Sequence, residues 1–496
     1  MLEIGFFALF PGAPSYFGDD IMYNGIAHSL LIGQFSLNGN PFAVEVAITF
    51  PMALLYKLFG ISLSTSILWD QLSLIFTIVI TFFIGRELFN DKAGIIAALV
   101  LAFFPVLQGL SSTASDNPIM VLLLALALLS AIKGVKRNSG VWFAIAGAMA
   151  YASLLTTPEA AILALLIVAF VLYTTYKKGH VLHAFAFILI GAIAVAVPNA
   201  ALNYAYSGNP LLLFKYYEGF SNVFGPENLA ALEHTSIMLY ISQMFSISLP
   251  KATGALYYLF EINTGQYGLV FYAMLISAAY IIISRERRSY FLLIMLALTF
   301  LYLEFGPMAI SFNPFKYIII YRYSRFLTIL AVPTAAIIGV AAAKFTESRK
   351  GRKYRYIIIT ILLVILLANS VFSSLLWHYA VYSSTHAQTE IANYLNSLPS
   401  NTLIYSTYLS RNLILYMAYN NQSRIKDFTN LSECSTFKHG SYIVVPLNML
   451  NETYIKDKCQ NMSLVMSPYV SNKYRSSSNI ASSYYNTFSC VLYRVL

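Results

Sequence analysis

The side chains best suited to chemistry in this 496-residue chain are carboxylates and cations at the ends of apolar segments, outside their interiors. A carboxylate can accept a proton, and a Lys or Arg can bind a phosphate group. The acids are Asp19, Asp20, Glu45, Asp70, Asp116, Glu159, Glu218 and Glu304, and the cations are Lys57, Lys215, Lys251, Lys316, Arg322 and Arg325. This distribution favours chemistry at one membrane surface. The alternative is that helix ends are charged simply because water reaches them.

Three segments concentrate these residues. In YFGDDIMYNG, Asp19 and Asp20 begin a predicted short amphipathic helix, where capping of the helix is the alternative role. In SASDNPIMV, Asp116 stands between two apolar segments, and capping is again the alternative. In YRYSRFL, Arg322 and Arg325 are three residues apart and share a helix face, where snorkelling toward lipid headgroups is the alternative.

The elements that must position these residues are apolar helices. The chain is 58% hydrophobic and 10% charged, whereas a soluble domain carries roughly a quarter of charged residues. Apolar runs of about 17–20 residues match a hydrocarbon core of roughly 30 Å. The ten predicted spans are 67–86, 93–110, 118–134, 141–157, 158–176, 181–201, 267–284, 289–306, 326–344 and 356–376. The opening apolar stretch would be the stub of an eleventh span.

Basic residues set the predicted orientation, because cytoplasmic loops are enriched in Lys and Arg. Five short connections that alternate to one side hold 16 of the 31 Lys and Arg residues, so we assign that side to the cytoplasm. The opposite side then receives the long loops 13–66 and 202–266, the loop 307–325 and the tail. This alternation explains the net charge of +10 without a nucleic-acid partner.

The C-terminal tail differs in composition from the rest. It contains four candidate N-glycosylation sites, at Asn421, Asn430, Asn451 and Asn461, which agree with an extracytoplasmic location. STHAQTEIANYLNSLP has helical spacing, and NTLIYST, GSYIVVPL and SCVLYRVL have the pattern of short strands. The sequence therefore predicts a transmembrane domain over 1–376 and a small extracytoplasmic α/β domain over 377–496. The predicted location is a multi-pass protein of the cell membrane with its C-terminus outside.

Taken in order, these segments resemble the GT-C superfamily of glycosyltransferases that use lipid-phosphate sugars, which includes the protein O-mannosyltransferases and the aminoarabinose transferases. The resemblance covers most of the chain. The matching elements are Asp19-Asp20-x-x-Tyr23, Pro51 followed by Leu58-Phe59-Gly60, Asp116-Asn117-Pro118, Gly208-Asn209-Pro210, and Arg325-Phe326 before Pro333. The sequence departs from the family at Asp20, where Glu is usual, and at Thr49-Phe50-Pro51, which replaces a Lys-Pro-Pro element.

The resemblance implies a mainly α-helical polytopic protein and an inverting glycosyltransferase, hexosyl or pentosyl. The donor would be a polyprenyl or dolichyl phosphate sugar held with membrane lipid, and the acceptor a hydroxyl group of a protein, a lipid or a glycan. The acceptor must lose a proton as it attacks, and the resemblance assigns this general base to Asp19. Asp20 or Asp116 would help to orient the acceptor or the sugar.

The leaving phosphate needs its developing charge stabilised. The planar guanidinium of Arg325 is the first choice for this role, with Arg322 and Lys316 as alternates. No cofactor follows from the resemblance with certainty, although a divalent metal ion could replace or assist the cations. The sequence contains no tight cluster of metal ligands, so the metal is left undecided.

Three other functions compete with this one. A transporter or lipid flippase would place ionisable groups inside its spans, and the predicted spans are nearly free of them. An oligosaccharyltransferase carries a Trp-Trp-Asp element, whereas Trp69, Trp142 and Trp377 are not adjacent to one another. An inactive GT-C-like scaffold remains a further alternative.

Overall fold

The computed structural model describes residues 19–37, 41–219, 267–312, 315–319, 324–347, 352–407, 425–428, 437–446, 462–466 and 490–496. The α-helices of this part of the chain are α1 (Asp19–Leu31), α2 (Val46–Phe59), α3 (Leu63–Leu88), α4 (Asp91–Ala102), α5 (Pro105–Ser111), α6 (Asp116–Arg137), α7 (Gly140–Leu154), α8 (Ala160–Tyr176), α9 (Val181–Ser207), α10 (Leu212–Gly219), α11 (Leu269–Ile283), α12 (Tyr290–Phe305), α13 (Ala331–Glu347) and α14 (Arg352–Asn396). Short 3-10 helices lie at Pro41–Val44, Arg287–Ser289 and Ser324–Leu330. The strands are β1 (Pro307–Phe312), β2 (Phe315–Ile319), β3 (Ile404–Thr407), β4 (Ile425–Phe428), β5 (Tyr442–Pro446), β6 (Met462–Met466) and β7 (Cys490–Val495).

The described helices include five that are long and apolar enough to cross a membrane: α3, α6, α9, the segment Arg325–Glu347 that contains α13, and Lys353–Leu375 within α14. A sixth span forms if the bent pair α4 and α5 counts as one. The other predicted spans correspond to the shorter apolar helices α7, α8, α11 and α12. The chain is therefore a multi-pass membrane protein with a mainly helical fold.

The exposed surface of the bundle agrees with a lipid environment. The apolar stretch that contains most of α13 is entirely buried, whereas most residues in the apolar stretches of α9 and the first half of α14 are not buried. Leu182 on α9 and Ile283 on α11 are 81% and 79% exposed. Apolar faces of this extent need a hydrocarbon surrounding, because water would penalise them.

The predicted span 93–110 is bent. Helices α4 and α5 meet at an angle of 58° across a short break. Pro105 begins α5, and its ring cannot continue the hydrogen-bond ladder of the preceding helix. The break turns α5, which is buried, toward the start of α6.

Glycines allow helices α7 and α9 to cross closely. A Cβ atom on Gly147 of α7 would lie 2.0 Å from the carbonyl oxygen of Ile188, and one on Gly191 of α9 would lie 1.8 Å from that of Ala144. The backbone of each helix therefore contacts the glycine of the other, as in small-residue contacts between membrane helices.

The C-terminal part of the chain forms a five-stranded sheet in the order β4-β3-β5-β7-β6. The pairs β3-β4 and β3-β5 are parallel, and the pairs β5-β7 and β6-β7 are antiparallel. Ile391 and Leu395 at the end of α14 pack onto the sheet residues Ile404, Val444 and Leu492. This helix runs unbroken through the predicted domain boundary at 376–377, so the last span and the predicted tail helix are one element.

The sequence pattern located β3, β5 and β7 but missed four strands. It missed β4 and β6, whose cores IKDF and MSLVM are short and partly polar. It also assigned 307–325 to a loop, although β1 and β2 pair there as an antiparallel hairpin. Short strands without a clear alternation of polar and apolar residues carry little signal in a sequence.

Four elements meet at one end of the bundle and position the residues of interest. Helix α1 packs against α2 and the start of α6 through a buried cluster that contains Tyr23, Ile48, Met52, Tyr56 and Ile119. The 3-10 helix Ser324–Leu330 also contacts α6 and leads directly into α13. We call this end of the bundle the carboxylate end.

Candidate active site

Helix α1 begins at its two aspartates, as predicted. Asp19 and Asp20 occupy the first turn, where the helix dipole favours negative charge. Asp20 is 2% exposed and faces the protein interior, whereas the Asp19 side chain is 24% exposed. Buried Tyr23 follows one turn later on α1. The first turn of α1 therefore presents one accessible and one buried carboxylate.

Asp19 forms an ion pair with Arg325. Nη1 of Arg325 lies 2.5 Å from Oδ2 of Asp19, and the Arg325 side chain is 15% exposed. The two residues are 306 positions apart in the chain, and most of the apolar helices lie between them. Arg325 occupies the 3-10 helix at the entry to α13, so the best enclosed helix of the bundle fixes its backbone. The proposed base and the proposed phosphate ligand are thus in direct contact.

Asp116 is held in a hydrogen-bonded turn at the start of α6. Its Oδ1 accepts from the amide Nδ2 of Asn117 at 2.6 Å and from the hydroxyl of Ser115 at 3.3 Å. Ser115 caps the helix by accepting from the backbone N–H of Asn117 at 3.3 Å. Asp70 of α3 in turn accepts the backbone N–H of Ser115 at 3.0 Å. All four of these residues are buried.

Two further acids, buried Glu45 and half-buried Glu159, complete the carboxylate end. Glu45 accepts a hydrogen bond from the hydroxyl of Tyr23. Burial raises the pKa of Glu45 well above its ordinary value, and the carboxylates of Asp116 and Asp19 raise it further, against the opposing effect of the Tyr23 hydrogen bond. Burial likewise raises the pKa of Glu159, whose carboxylate accepts from the hydroxyl of Thr157. These groups therefore favour their neutral forms.

In the described part of this end, the carboxyl groups influence one another electrostatically. Asp19, Asp116 and Glu159 all act electrostatically on Glu45, and Asp116 and Asp20 act on Asp70. Arg325 interacts with Asp19, Asp116 and Glu159. Among the described residues, the Arg325 guanidinium interacts with several of these carboxylates at once. It can bind a further anion strongly only when one of them releases it.

The structure brings three predicted site residues together and leaves others outside its description. Asp19, Asp116 and Arg325 share the carboxylate end, with Asp20 buried beside them. Lys316 lies in strand β2. Arg322 and the four glycosylation candidates Asn421, Asn430, Asn451 and Asn461 lie outside the described residues. The roles of all these residues stay predictions.

Sequence reasoning noted Glu45, Asp70 and Glu159 as acids but gave them no role. One signal was available for Asp70, because an acid inside a predicted span is costly and therefore rare. Nothing local marked Glu45, whose partner Tyr23 is 22 residues away. Among the described residues, no group of three or more His, Cys, Asp or Glu could hold a metal ion.

The chain was compared with known families and structures. The family described as Dolichyl-phosphate-mannose-protein mannosyltransferase matches residues 46–201, which contain α2 to α8 and most of α9. ArnT from Cupriavidus metallidurans bound to undecaprenyl phosphate superposes with a TM-score of 0.58 at 13% identity, over 96% of this chain and 93% of that one. The chain has the GT-C fold, the fold of a superfamily of membrane glycosyltransferases.

A second ArnT structure also has this fold. The apo form of ArnT from Cupriavidus metallidurans gives a TM-score of 0.56 at 13% identity, over 96% of this chain and 92% of that one. The Archaeoglobus fulgidus oligosaccharyltransferase in complex with Zn and sulfate gives 0.48 at 13% identity, over 90% of this chain and 65% of that one, and adds nothing to the assignment. No curated protein matches the chain in sequence. The GT-C fold confirms the resemblance that the sequence motifs indicated.

Proposed function

We propose that this chain is an inverting glycosyltransferase that moves a sugar from a polyprenyl or dolichyl phosphate to a hydroxyl acceptor at the outer membrane face. The observation that carries the proposal is the contact between Asp19 and Arg325 at the carboxylate end. One residue of this pair can accept a proton, the other can bind a phosphate, and both are partly accessible. The two functions that the transfer needs are therefore adjacent.

The transfer is a single displacement. The acceptor oxygen attacks the anomeric carbon while the bond from that carbon to the phosphate oxygen breaks, so the anomeric configuration inverts. The acceptor proton passes to the carboxylate of Asp19, and the electron pair of the broken bond stays on the polyprenyl phosphate. Asp19 suits this role because its side chain is 24% exposed, whereas Asp20, Glu45, Asp70 and Asp116 are buried.

Arg325 stabilises the charge that builds on the leaving phosphate. Its guanidinium can bind two phosphate oxygens in parallel, and its enclosed backbone holds it in place as the charge moves. The donor phosphate must either share this guanidinium with Asp19 or displace Asp19 from it. Donor binding therefore frees the Asp19 carboxylate for the acceptor proton at the step that requires it.

The remaining carboxylates suit sugar recognition, because ionised and neutral carboxyl groups both hydrogen-bond to hydroxyls. Asp116 lies within the electrostatic reach of Arg325 and is held by Asn117. We assign Asp116 to orientation of the sugar or acceptor, together with Asp20. A hexose and a pentose donor both fit this account, as do protein, lipid and glycan acceptors.

The outer location of the site follows from charge patterning. The connections rich in Lys and Arg join the opposite ends of the helices from those that hold Asp19 and Asp116. The carboxylate end and the five-stranded sheet then lie outside the cell, which agrees with glycosylation candidates in the tail. The proposed division is a catalytic membrane domain over 1–376 and an extracytoplasmic domain over 377–496.

Two substitutions test the proposal in proteoliposomes supplied with radiolabelled polyprenyl-phosphate and dolichyl-phosphate sugars. Asp19→Asn should lower turnover by about 100- to 10,000-fold, the range that a general base contributes, while donor binding persists. Arg325→Ala should weaken donor binding by about 10- to 100-fold, because a charge-assisted contact is lost. A wild-type chain that consumes no donor would instead favour the transporter or scaffold alternatives.

The pair Lys344 and Glu286 supplies matched controls. Its atoms lie 2.7 Å apart with side-chain exposures of 23% and 15%, close to those of the Asp19 pair, but it joins α13 to the connection before α12. Glu286→Gln and Lys344→Ala should leave turnover near the wild-type rate. Loss of turnover in these controls would show that breaking any buried ion pair disables the protein, and the assignment of Asp19 would fall.

A further inference from the structure

A threonine in the 3-10 helix connects the Arg325 turn to the Asp116 turn. Thr328 lies one turn after Arg325 and is fully buried. Its hydroxyl lies 3.0 Å from Oδ1 of Asn117, across the boundary between the 3-10 helix and α6. The same hydroxyl lies 2.7 Å from the carbonyl oxygen of Arg325, which is the alternative acceptor within its own turn.

Asn117 carries this contact on to Asp116. Asn117 is also fully buried, and its Nδ2 donates to Oδ1 of Asp116 at 2.6 Å and to the hydroxyl oxygen of Ser115 at 3.1 Å. An amide group has one end that accepts and one end that donates. The Asp116 carboxylate turns the donating end of Asn117 toward itself, and the Thr328 hydroxyl then donates to the accepting end at the other side of the amide.

The opposite orientation of the amide would be unfavourable. Oδ1 of Asn117 would then face the carboxylate of Asp116, and two acceptors would be buried together without a proton between them. Without the Thr328 hydroxyl, the accepting end of Asn117 would also lose the partner that holds it. The hydroxyl therefore maintains a chain of contacts from the backbone of Arg325 to the carboxylate of Asp116.

We propose that Thr328 and Asn117 are positioning residues that hold the Asp116 carboxylate in a fixed relation to Arg325 during sugar transfer. The inference rests on the proposed function. Neither side chain is accessible enough to touch the substrate, so both act through Asp116. In this role they affect the alignment of the sugar more than the binding of the donor phosphate, which falls to Arg325.

The test compares Thr328→Val with Thr328→Ser in the full-length protein in proteoliposomes. Valine keeps the shape of threonine without the hydroxyl, whereas serine keeps the hydroxyl. Thr328→Val should lower kcat by about tenfold with little change in the KM for the radiolabelled lipid-phosphate sugar, as expected for one lost hydrogen bond. Thr328→Ser should restore most of the rate.

Thr346 of α13 provides the control for burial and for the local hydrogen bond. It is 2% exposed, and its hydroxyl donates to the carbonyl oxygen of Ala343 three residues earlier at 2.7 Å, as Thr328 can do to Arg325. Thr346→Val should keep the wild-type kcat. The thermal midpoint of each variant in detergent reports separately on folding.

Three results would overturn the inference. If the wild type is active and Thr328→Val is equally active, the positioning role is overturned and the proposed function stands. Equal losses of kcat and thermal midpoint in Thr328→Val and Thr346→Val would assign both residues to packing. Failure of Thr328→Ser to recover activity would show that the hydroxyl is not the relevant group. A wild type that consumes no donor would overturn the proposed function itself, which is a different outcome.

Discussion

Arg325 Nη1 lies 2.5 Å from Asp19 Oδ2, which places the proposed phosphate ligand and the proposed base in one ion pair. The ion pair must therefore open before either residue can act on the substrates. A donor phosphate competes with Asp19 for the guanidinium, and an acceptor hydroxyl competes with Arg325 for the carboxylate. This competition gives an order to the reaction, because the base becomes available when the donor is bound.

The competition predicts that Asp19→Asn binds the donor more tightly than the wild type. Asparagine has nearly the same shape as aspartate but no charge, so the phosphate no longer displaces a carboxylate. We expect the Kd for a polyprenyl phosphate to fall by about three- to tenfold, although turnover is lost. Equilibrium binding of radiolabelled polyprenyl phosphate to the detergent-solubilised protein measures this. Unchanged or weaker binding would contradict the proposed competition.

Glu45 predicts a pH dependence of stability. Its pKa in the folded protein is raised, mainly by burial, so the folded state holds a proton that the unfolded state releases above the ordinary carboxyl pKa of about 4.3. The stability associated with this proton is present below that pH and is lost as the pH rises through the folded pKa. Glu45→Gln resembles the protonated form and has no proton to lose.

The thermal midpoint of Glu45→Gln should therefore exceed that of the wild type by a margin that grows as the pH is raised from about 5 to about 8. Tyr23→Phe is the companion variant, since it removes the hydroxyl that donates to Glu45 and leaves the carboxyl group in place. It should keep the pH dependence of the wild type. A constant difference between Glu45→Gln and the wild type across this range would show that Glu45 is ionised in the folded protein.

The sequence was sufficient to locate the apolar helices and to single out Asp19, Asp116 and Arg325, whose roles stay predictions, but not to predict their contacts. The period and length of the apolar runs locate the spans, and the order of the motifs indicates the GT-C fold. Glu45 and Asp70 were noted without a role, and Thr328 was not singled out, because their partners are distant in the chain. Asp70 contacts Ser115, and Thr328 contacts Asn117. Such contacts arise from helix packing, which leaves no local pattern in the sequence.

Because α7 and α9 cross closely, we expect that adding a single methyl group at either glycine of the crossing destabilises the protein. Gly147→Ala or Gly191→Ala would place a Cβ atom about 2 Å from a carbonyl oxygen of the facing helix, so the helices must separate. We expect each variant to lose about 1–3 kcal/mol of stability, the usual cost of overpacking. Thermal unfolding in detergent measures the loss.

Gly25 of α1 is the matched control for these glycines. It is also helical, but a Cβ atom there would have no neighbour within 4 Å. Gly25→Ala should be neutral or should stabilise the protein by about 0.5–1 kcal/mol, because alanine favours helix more than glycine does. If Gly147→Ala behaves like Gly25→Ala, the two helices do not cross as closely as described.

Two substitutions of Asp70 test whether its buried carboxyl group supports the start of α6 through a hydrogen bond. It is fully buried, and its Oδ1 accepts the backbone N–H of Ser115 that precedes α6. Asp70→Asn keeps an oxygen acceptor for that N–H and replaces a carboxyl group that is fully buried, so its thermal midpoint should equal or exceed that of the wild type. Asp70→Leu leaves the Ser115 N–H unpaired and should cost about 1–3 kcal/mol. Equal stability of the two variants would mean that the contact with Ser115 does not support the start of α6, and the position of Asp116 would then depend on Ser115 and Asn117 alone.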